Sequence, residues 1–521
     1  MRKRDKKTSA QPRKAVILLA VLVVVVMLTL AAYQYSELVT AEYRAADSYA
    51  RSSQARAFAA SGVHYVAAII GNSTNFTTFL NSNPYDNSTV FRGIVVAPSD
   101  QPRFQGRFSI VSPLGPDDSP SSSSPFRFGV IDEGGKININ ALAKLNDSKA
   151  HDVLMNIPGM TEDIANSILD WIDADDTPRS NGAESDYYST LSPPYRCKNA
   201  PIDSPEELLL VKGITPPLFL GNDLNRNGVL DPGEDDGSGA VNQGWSAYIT
   251  CYSRELNLAN DGTPRIYIND NDLNSLYTNL ETALGPDLAT YIIMMRLYGV
   301  NTTATQPGGQ AITLSSTART QGTTRATNAR NSNQSQPKAI SSLYDVINST
   351  VTIPASSPQE QPVVYPSPLQ DVGSIRQYLP LILDKTTRVN SAELPAGINV
   401  NTAPRAVLSA LLPTFGLDDT AVQSIIEQRP SLNSQDAPDP IYQTPAWLIT
   451  EANFTPANLK ALEQYITARS LVYRIQSIGY FNGGGPTARI EAVIDGNNQR
   501  PRIISWRDLT ELGKGFDFGS P

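Results

Sequence analysis

RKAVILLAVLVVVVMLTLAAYQYSELVTAEYRAADSYARSSQARAFAASGVHYVAAIIG (residues 13–71) decides the architecture. Ala15 to Ala32 form an eighteen-residue apolar run interrupted only by Thr29. A bilayer core of ~30 Å is crossed by about 20 such residues in a helix. The stretch then continues without a proline, and with no glycine before Gly62, in an Ala-, Glu-, Arg- and Leu-rich composition that sustains a helix. As one helix, Ala15 to Ile70 measures roughly 84 Å at 1.5 Å per residue. That is far longer than an anchor needs. A cleaved secretory signal has an apolar core of about 7–15 residues and ends there, so the retained membrane helix is the preferred reading.

Charge is divided unevenly along the 521 residues. The formal total is −9, and residues 1–14 carry +6 (seven basic side chains against Asp5), so the remainder carries −15. A basic leader directly before a spanning helix stays cytoplasmic, which sends the acidic bulk across the membrane into a periplasm. An acidic body repels phosphate backbones, so nucleic acid is not expected as a partner. Cys197 and Cys251 are the two cysteines, both on the exported side. Oxidising surroundings favour a disulfide between them, and a pair of buried thiols is the alternative.

Beyond Gly71 the composition turns to Asn, Ser, Thr, Phe and Pro. FRGIVVAP (91–98), GRFSIVSP (106–113) and FRFGVIDE (126–133) read as short strands between turn residues. The C-terminal end alternates apolar and polar residues in LVYRIQSIGYF (471–481), ARIEAVID (488–495) and PRIISWRDL (501–509), a three-stranded meander. Between these strand-rich ends lies an internal repeat. Lys136-Ile-Asn-Ile-Asn140 is echoed by Arg265-Ile-Tyr-Ile-Asn269 and by Gly397-Ile-Asn-Val-Asn401. Each copy leads into a helix, a turn with Gly159, Gly285 or Gly416, and a second helix near Ala165, Ala289 or Ala421. SPEELLLVKGIT (204–215) is a shorter unit of the same kind, with Ser204 as N-cap and Glu207 three residues on. Asn301 to Lys338 is Thr-, Gln-, Asn-, Ser- and Arg-rich and reads as a disordered insertion.

Chemistry-bearing motifs are few. Asp223-Leu-Asn-Arg-Asn-Gly-Val-Leu-Asp-Pro-Gly-Glu234 fits the twelve-residue EF-hand calcium loop. Asp223, Asn225, Asn227, Asp231 and Glu234 fall at the side-chain ligand places, Val229 offers its carbonyl, and Gly228 sits at the sharp turn. Pro216 and Pro217 before the loop and glycines after it replace the two flanking helices, so a stapled loop is expected rather than a sensor. A second acidic cluster, Asp170, Asp173, Asp175, Asp176, Glu184 and Asp186, is either a solvated helix end or a cation site. His64 and His151 belong to no zinc or triad spacing, and an enzyme is not expected. The turn IPGMTEDIA (157–165) is similar to a helix-hairpin-helix phosphate clamp, but Glu162 and Asp163 give it the wrong charge, so it is read as packing.

Taken together, the leader and long helix, ILDWIDADDTPRSNGAESDYY (168–188), APIDSPEELLLVKGIT (200–215), GINVNTAPRAVL (397–408) and WRDL (506–509) resemble the minor pseudopilin K family of type II secretion systems. The resemblance implies an α+β, type IV pilin-like fold, with a long N-terminal helix on an antiparallel sheet and a large inserted helical domain (helix-hairpin-helix or SAM-like). It implies a non-enzymatic subunit capping the tip of the periplasmic pseudopilus, bound to minor pseudopilins I and J and processed by prepilin peptidase. It also implies calcium in the inserted domain, matched here to Asp173, Asp175, Glu184 and Asp186. Two departures stand out. No glycine precedes the apolar run, leaving Lys14 and Ala15 at the cleavage place. The fifth mature residue is then Leu19 or Ala20 rather than the pilin glutamate, as expected of a subunit with no neighbour above it.

The expected layout is a cytoplasmic leader (1–14), a single-pass inner-membrane and assembly helix (15–70) and the first part of a β domain (71–135). A helical domain (136–300), a disordered insertion and linker (301–370), a further helical unit (371–469) and the C-terminal meander (470–521) follow. The runner-up function is a membrane-anchored helix-hairpin-helix DNA receptor of the competence type, which the −15 body opposes.

Overall fold

Helix α1 (Arg13–Ile70) is unbroken in the computed structural model. The structure describes residues 13–71, 76, 80–81, 83–118, 125–302, 313–331, 337–355, 357–432, 439–497 and 500–517. From Val16 to Gln54 the helix side chains are exposed or half-buried. Its buried residues begin at Ala55 and recur at Phe58, Ala59, Val63, Val66, Ala67 and Ile70. That three-and-four spacing is one apolar stripe. Among the described residues α1 is the one helix long and apolar enough to cross a membrane.

The stripe packs on an antiparallel sheet of strands β1 (Ile94–Ala97), β2 (Gly106–Pro113), β3 (Val472–Phe481), β4 (Ala488–Asp495) and β5 (Arg502–Asp508), in that spatial order. Two-residue strands at Phe126–Arg127 and Ile131–Asp132 add to β2 and β3. The strands expected at 91–98, 106–113, 126–133 and across the C-terminal meander are all present, the third as this broken pair. β2 and β3 are hydrogen-bonded neighbours, with Ile110 opposite Ser477, although more than 350 residues separate them in the chain. The chain from Glu133 to the start of β3 is therefore an insert that leaves the sheet and returns beside its point of departure.

Helix and sheet approach closely at Gly479. A Cβ there would lie 2.1 Å from the Ala55 carbonyl oxygen and 2.5 Å from the Ala59 amide nitrogen. Backbone cannot yield as a side chain can. Gly479→Ala is expected to lower stability by about 1–3 kcal/mol, the usual cost of overpacking, read as a drop in the unfolding midpoint.

The insert has one continuous apolar core running from Ile137 to Ala468. This corrects the division into 136–300, 301–370 and 371–469, because Leu343, Tyr344, Val346, Val351, Ile353, Tyr365 and Leu369 all belong to that core. It also corrects the disordered insertion. Residues 303–312 and 332–336 lie outside the described residues, but Ser316–Asn331 is a helix. Ala318, Gly322 and Ala326 recur every fourth residue, and both alanines are buried. A Cβ on Gly322 would stand 2.3 Å from the Tyr365 ring. Small residues let this polar helix lie against apolar surface that its neighbours supply, so its own scarcity of large side chains does not exclude packing.

The repeat is realised three times. Helices α2 (Asp147–Met155) and α3 (Glu162–Ile172), α4 (Leu273–Leu284) and α5 (Pro286–Tyr298), and α6 (Arg405–Leu411) and α7 (Asp419–Gln428) follow the three Ile-x-Ile or Ile-x-Val motifs. Gly159, Gly285 and Gly416 all have φ between 75° and 88°, a region that favours glycine. Each motif forms a two-residue parallel pair with a later Thr-containing segment: Ile137 with Ile249, Ile266 with Thr386 and Ile398 with Ile466. In all three the threonine hydroxyl, at Thr250, Thr387 and Thr467, accepts from the amide two residues on. The SPEELLLVKGIT unit is a 3-10 helix (Pro205–Leu210) followed by Pro216–Leu220. Its Ser204 cap accepts from Glu206 N, while Glu207 reaches Trp171 Nε1 and Asp203 N instead.

Candidate functional site

Two oxygen-rich centres lie in the insert. The first is the Asp223–Glu234 loop, which turns at Gly228 with φ of 69°. Asp223 is buried, and its carboxylate accepts from the Asn227 amide at 3.0 Å and the Gly228 amide at 2.9 Å. Burial pushes this carboxyl above its ordinary range, while those amides act in the opposite sense. Asp231 Oδ2 accepts from Asn225 Nδ2 at 2.6 Å and Asn227 Nδ2 at 2.7 Å. Glu234 accepts from the Asn225 and Asp231 amides at 3.1 and 3.3 Å, and Val229 N donates to Asn227 Oδ1 at 2.7 Å. Hydrogen bonds thus close the loop through the five side chains named from the spacing, whose carboxylate and amide oxygens are the donor chemistry calcium takes.

The second centre differs in membership from its expectation. Asp170, Asp173 and Glu184 each place an oxygen within 4.8 Å of the others. Asp175 and Asp186 are exposed and lie outside this group. Asp170 is fully buried near the C-terminal end of α3, with Asp173 three residues on, and Ala183 N donates to Asp170 at 2.8 Å. Arg179 Nη1 reaches Asp170 Oδ1 at 2.8 Å and Asp173 Oδ2 at 2.5 Å. Both oxygens of Glu184 and Oδ1 of Asp173 are buried without a hydrogen-bond partner. Burial, joined by the charges of Asp170 and Asp173, pushes the Glu184 carboxyl up to about 7. Buried carboxylate oxygens left unsatisfied beside two other carboxylates fit a hard divalent cation. Asp170 sits in the acidic cluster of the sequence, yet only the return of the chain through Gly182 and Ala183 shows that it belongs to the site.

Cys197 and Cys251 are free thiols, which resolves that alternative against the disulfide. Cys197 donates to the Asp170 carbonyl at 3.6 Å, and burial pushes both thiols up to about 12. Lys14 and Ala15 lie in the first turn of α1, whereas residues 1–12 of the leader are outside the described residues. The Ile157–Met160 turn is a packing element: Trp245 Nε1 donates to the Pro158 carbonyl at 2.8 Å, and Glu162 and Asp163 open the helix after it.

A buried charge network missed in the sequence joins the insert to the sheet. Glu133, with no exposed surface, takes Arg474 at 2.8 Å and Lys136 at 3.2 Å. Glu491 takes Arg474 at 2.9 Å, and Arg226 and Arg507 both lie 3.6 Å away.

Models described as type II secretion system (T2SS), protein K match residues 135–220 and 398–446. The putative type II secretion system protein K of Escherichia coli (strain K12) is 36% identical over 95 residues, 16% of this chain and 29% of that protein. The type II secretion system protein K of Pectobacterium carotovorum subsp. carotovorum is 45% identical over 58 residues, 11% of this chain and 18% of that protein. The matches thus span less than a third of either relative. Among solved structures, the GspK-GspI-GspJ complex from enterotoxigenic Escherichia coli aligns over 90% of this chain and 99% of that chain, at 12% identity and a TM-score of 0.37.

Proposed function

The chain carries the two matched segments of type II secretion system protein K, and from that premise we propose that it is a non-enzymatic minor pseudopilin of a type II secretion system. It caps the tip of the pseudopilus, helps start its assembly and so supports protein export across the outer membrane. Its partners are minor pseudopilins I and J. The observation that carries this reading is the division of α1. The helix buries its C-terminal stripe on the chain's own sheet. Its apolar start and its middle stand free for a bilayer and for other helices. Prepilin peptidase acts at Lys14 or Ala15, the leader stays cytoplasmic and the bulk is periplasmic. The two oxygen centres hold calcium as structural ions: Asp223, Asn225, Asn227, Val229, Asp231 and Glu234 in one, and Asp170, Asp173 and Glu184 in the other.

Tyr35, Leu38, Tyr43 and Tyr49 are 57–77% exposed on the free middle of α1. Changing these four to serine is expected to cut co-purification with I and J by about tenfold or more, as loss of interface anchors does, with the melting midpoint unchanged. Undiminished co-purification would sink the assembly role of this helix.

A further inference from the structure

The Asp223–Glu234 loop is not a free surface loop. Its third to sixth residues rest on the sheet. Arg489 on β4 is wholly buried, and its Nη2 donates to the carbonyls of Asn225 at 2.7 Å and Arg226 at 2.8 Å. Its Nε donates to Gln476 Oε1 at 2.9 Å, and Gln476 Nε2 in turn donates to the Arg226 carbonyl at 2.9 Å. Asn227 Nδ2 donates to the Gly515 carbonyl at 2.7 Å. Phe516, beside that carbonyl, lies under the Arg489 guanidinium at 5.2 Å and against Phe126 at 5.1 Å. On the remaining side, a Cβ on Gly228 would stand 2.4 Å from Pro113 at the end of β2.

Three carboxylates, Asp223, Asp231 and Glu234, share this loop, and Arg226 sits within it at φ of 62°, where a non-glycine residue stays only if its surroundings hold it. The carbonyls that accept from Arg489 Nη2 are therefore oriented by the loop's closed form. A cation that draws the carboxylates together also fixes those carbonyls. Opening the loop would strip a fully buried guanidinium of two acceptors, an expensive loss for a charged donor.

We infer that calcium in the Asp223–Glu234 loop clamps the inserted helical region onto the sheet, with Arg489 as the residue through which β4 and the Gly513–Asp517 segment respond to loop occupancy. The inference rests on the reading of this loop as a calcium site. It makes the ion part of the joint between the two bodies rather than a staple local to the insert.

Hydrogen exchange on the detergent-solubilised full chain, with calcium or with chelator, tests it alongside calorimetric titration of calcium. With calcium at about ten times its Kd, linkage predicts that exchange slows by about tenfold in 223–234, and also in 488–495 and 509–517. Glu234→Gln removes both effects and one calcium equivalent from the titration. Arg489→Gln keeps that equivalent but confines protection to the loop. Wild-type binding with protection limited to 223–234 overturns the clamp and leaves the calcium site standing. A titration that Glu234→Gln does not alter overturns the site and the clamp together. The wild-type exchange map decides the matter even where Arg489→Gln fails to fold.

Discussion

Arg474→Met is expected to lower folding stability by about 3–5 kcal/mol, the usual result of removing one partner from a buried ion pair. The change leaves Glu133, with no exposed surface, facing only Lys136 and the Thr250 hydroxyl. Glu491 meanwhile loses its 2.9 Å partner. Burial alone would raise the Glu133 carboxyl, but Arg474 and Lys136 outweigh it and hold it at about 2. Lys136 is itself pulled down by burial, so Arg474 is the partner that sustains the pair. A carboxyl depressed in the folded state gives stability that is present above its unfolded pKa of about 4.5 and is lost as pH falls toward 2. The wild type should therefore lose stability across that acid window, and Arg474→Met should lose much less there, having already lost the contact. Urea unfolding at pH 7 and at pH 3 separates the two. A double variant, Glu133→Leu with Arg474→Met, should regain part of the loss, because the lone Glu133 carboxylate is then no longer buried, while Lys136 keeps the Ser246 carbonyl as an acceptor. If the double variant is less stable than the single one, burial of the lone carboxylate is not the cause.

That network also shows where reading the sequence stopped. In VYRIQSIGYF and ARIEAVID the alternation marks an apolar face, and the structure packs that face on α1, with Ile475, Ile490, Ala492 and Ile494 in the shared core. The same alternation labels Arg474, Gln476, Arg489 and Glu491 as the polar face, yet all four are buried or nearly so. Period-two patterning says which side is polar. It does not say whether that side meets water or an insert folded back onto it. The three Ile-x-Ile or Ile-x-Val repeats were legible because turns demand glycine and core stripes recur at helical spacing. Their Thr-containing partners were not, since a two-residue parallel pair has no periodicity of its own. Helix Ser316–Asn331 escaped for a related reason: Ala318, Gly322 and Ala326 mark contact by being small. The Asp223–Glu234 loop was legible as a candidate because its oxygen-bearing residues lie in one local register. Asp170 stood with Glu184 in the acidic cluster, but which of its six carboxylates converge was not legible, because Glu184 returns from fourteen residues on.

Glu184 supplies the second large effect. In chelator, stability should fall by about 3 kcal/mol as pH rises from 4.5 to 7, the equivalent of moving one carboxyl up by about two and a half units. The sign follows from the direction of the shift. Burial, with Asp170 and Asp173 nearby, raises the Glu184 carboxyl to about 7 from an ordinary 4.5. The folded protein therefore holds a proton there that the unfolded chain has released, and ionising the group against that preference costs stability until about pH 7, beyond which the curve flattens. Asp173 is raised by burial too and acts in the same sense. Calcium reverses the slope, because it binds the carboxylate and not the acid. The melting midpoint should thus be nearly insensitive to calcium at pH 4.5 and rise strongly with it at pH 7.5. Glu184→Gln removes the main ionising group, so its midpoint in chelator should fall less across this range, the remainder coming from raised carboxyls such as Asp173, and its response to calcium should shrink to what the Asp223–Glu234 loop alone contributes. Scanning calorimetry of the wild type, Glu184→Gln and Glu234→Gln at both pH values apportions the effect. A wild-type midpoint in chelator that rises between pH 4.5 and 7 would show that Arg179, already on Asp170 and Asp173, neutralises the cluster without an ion.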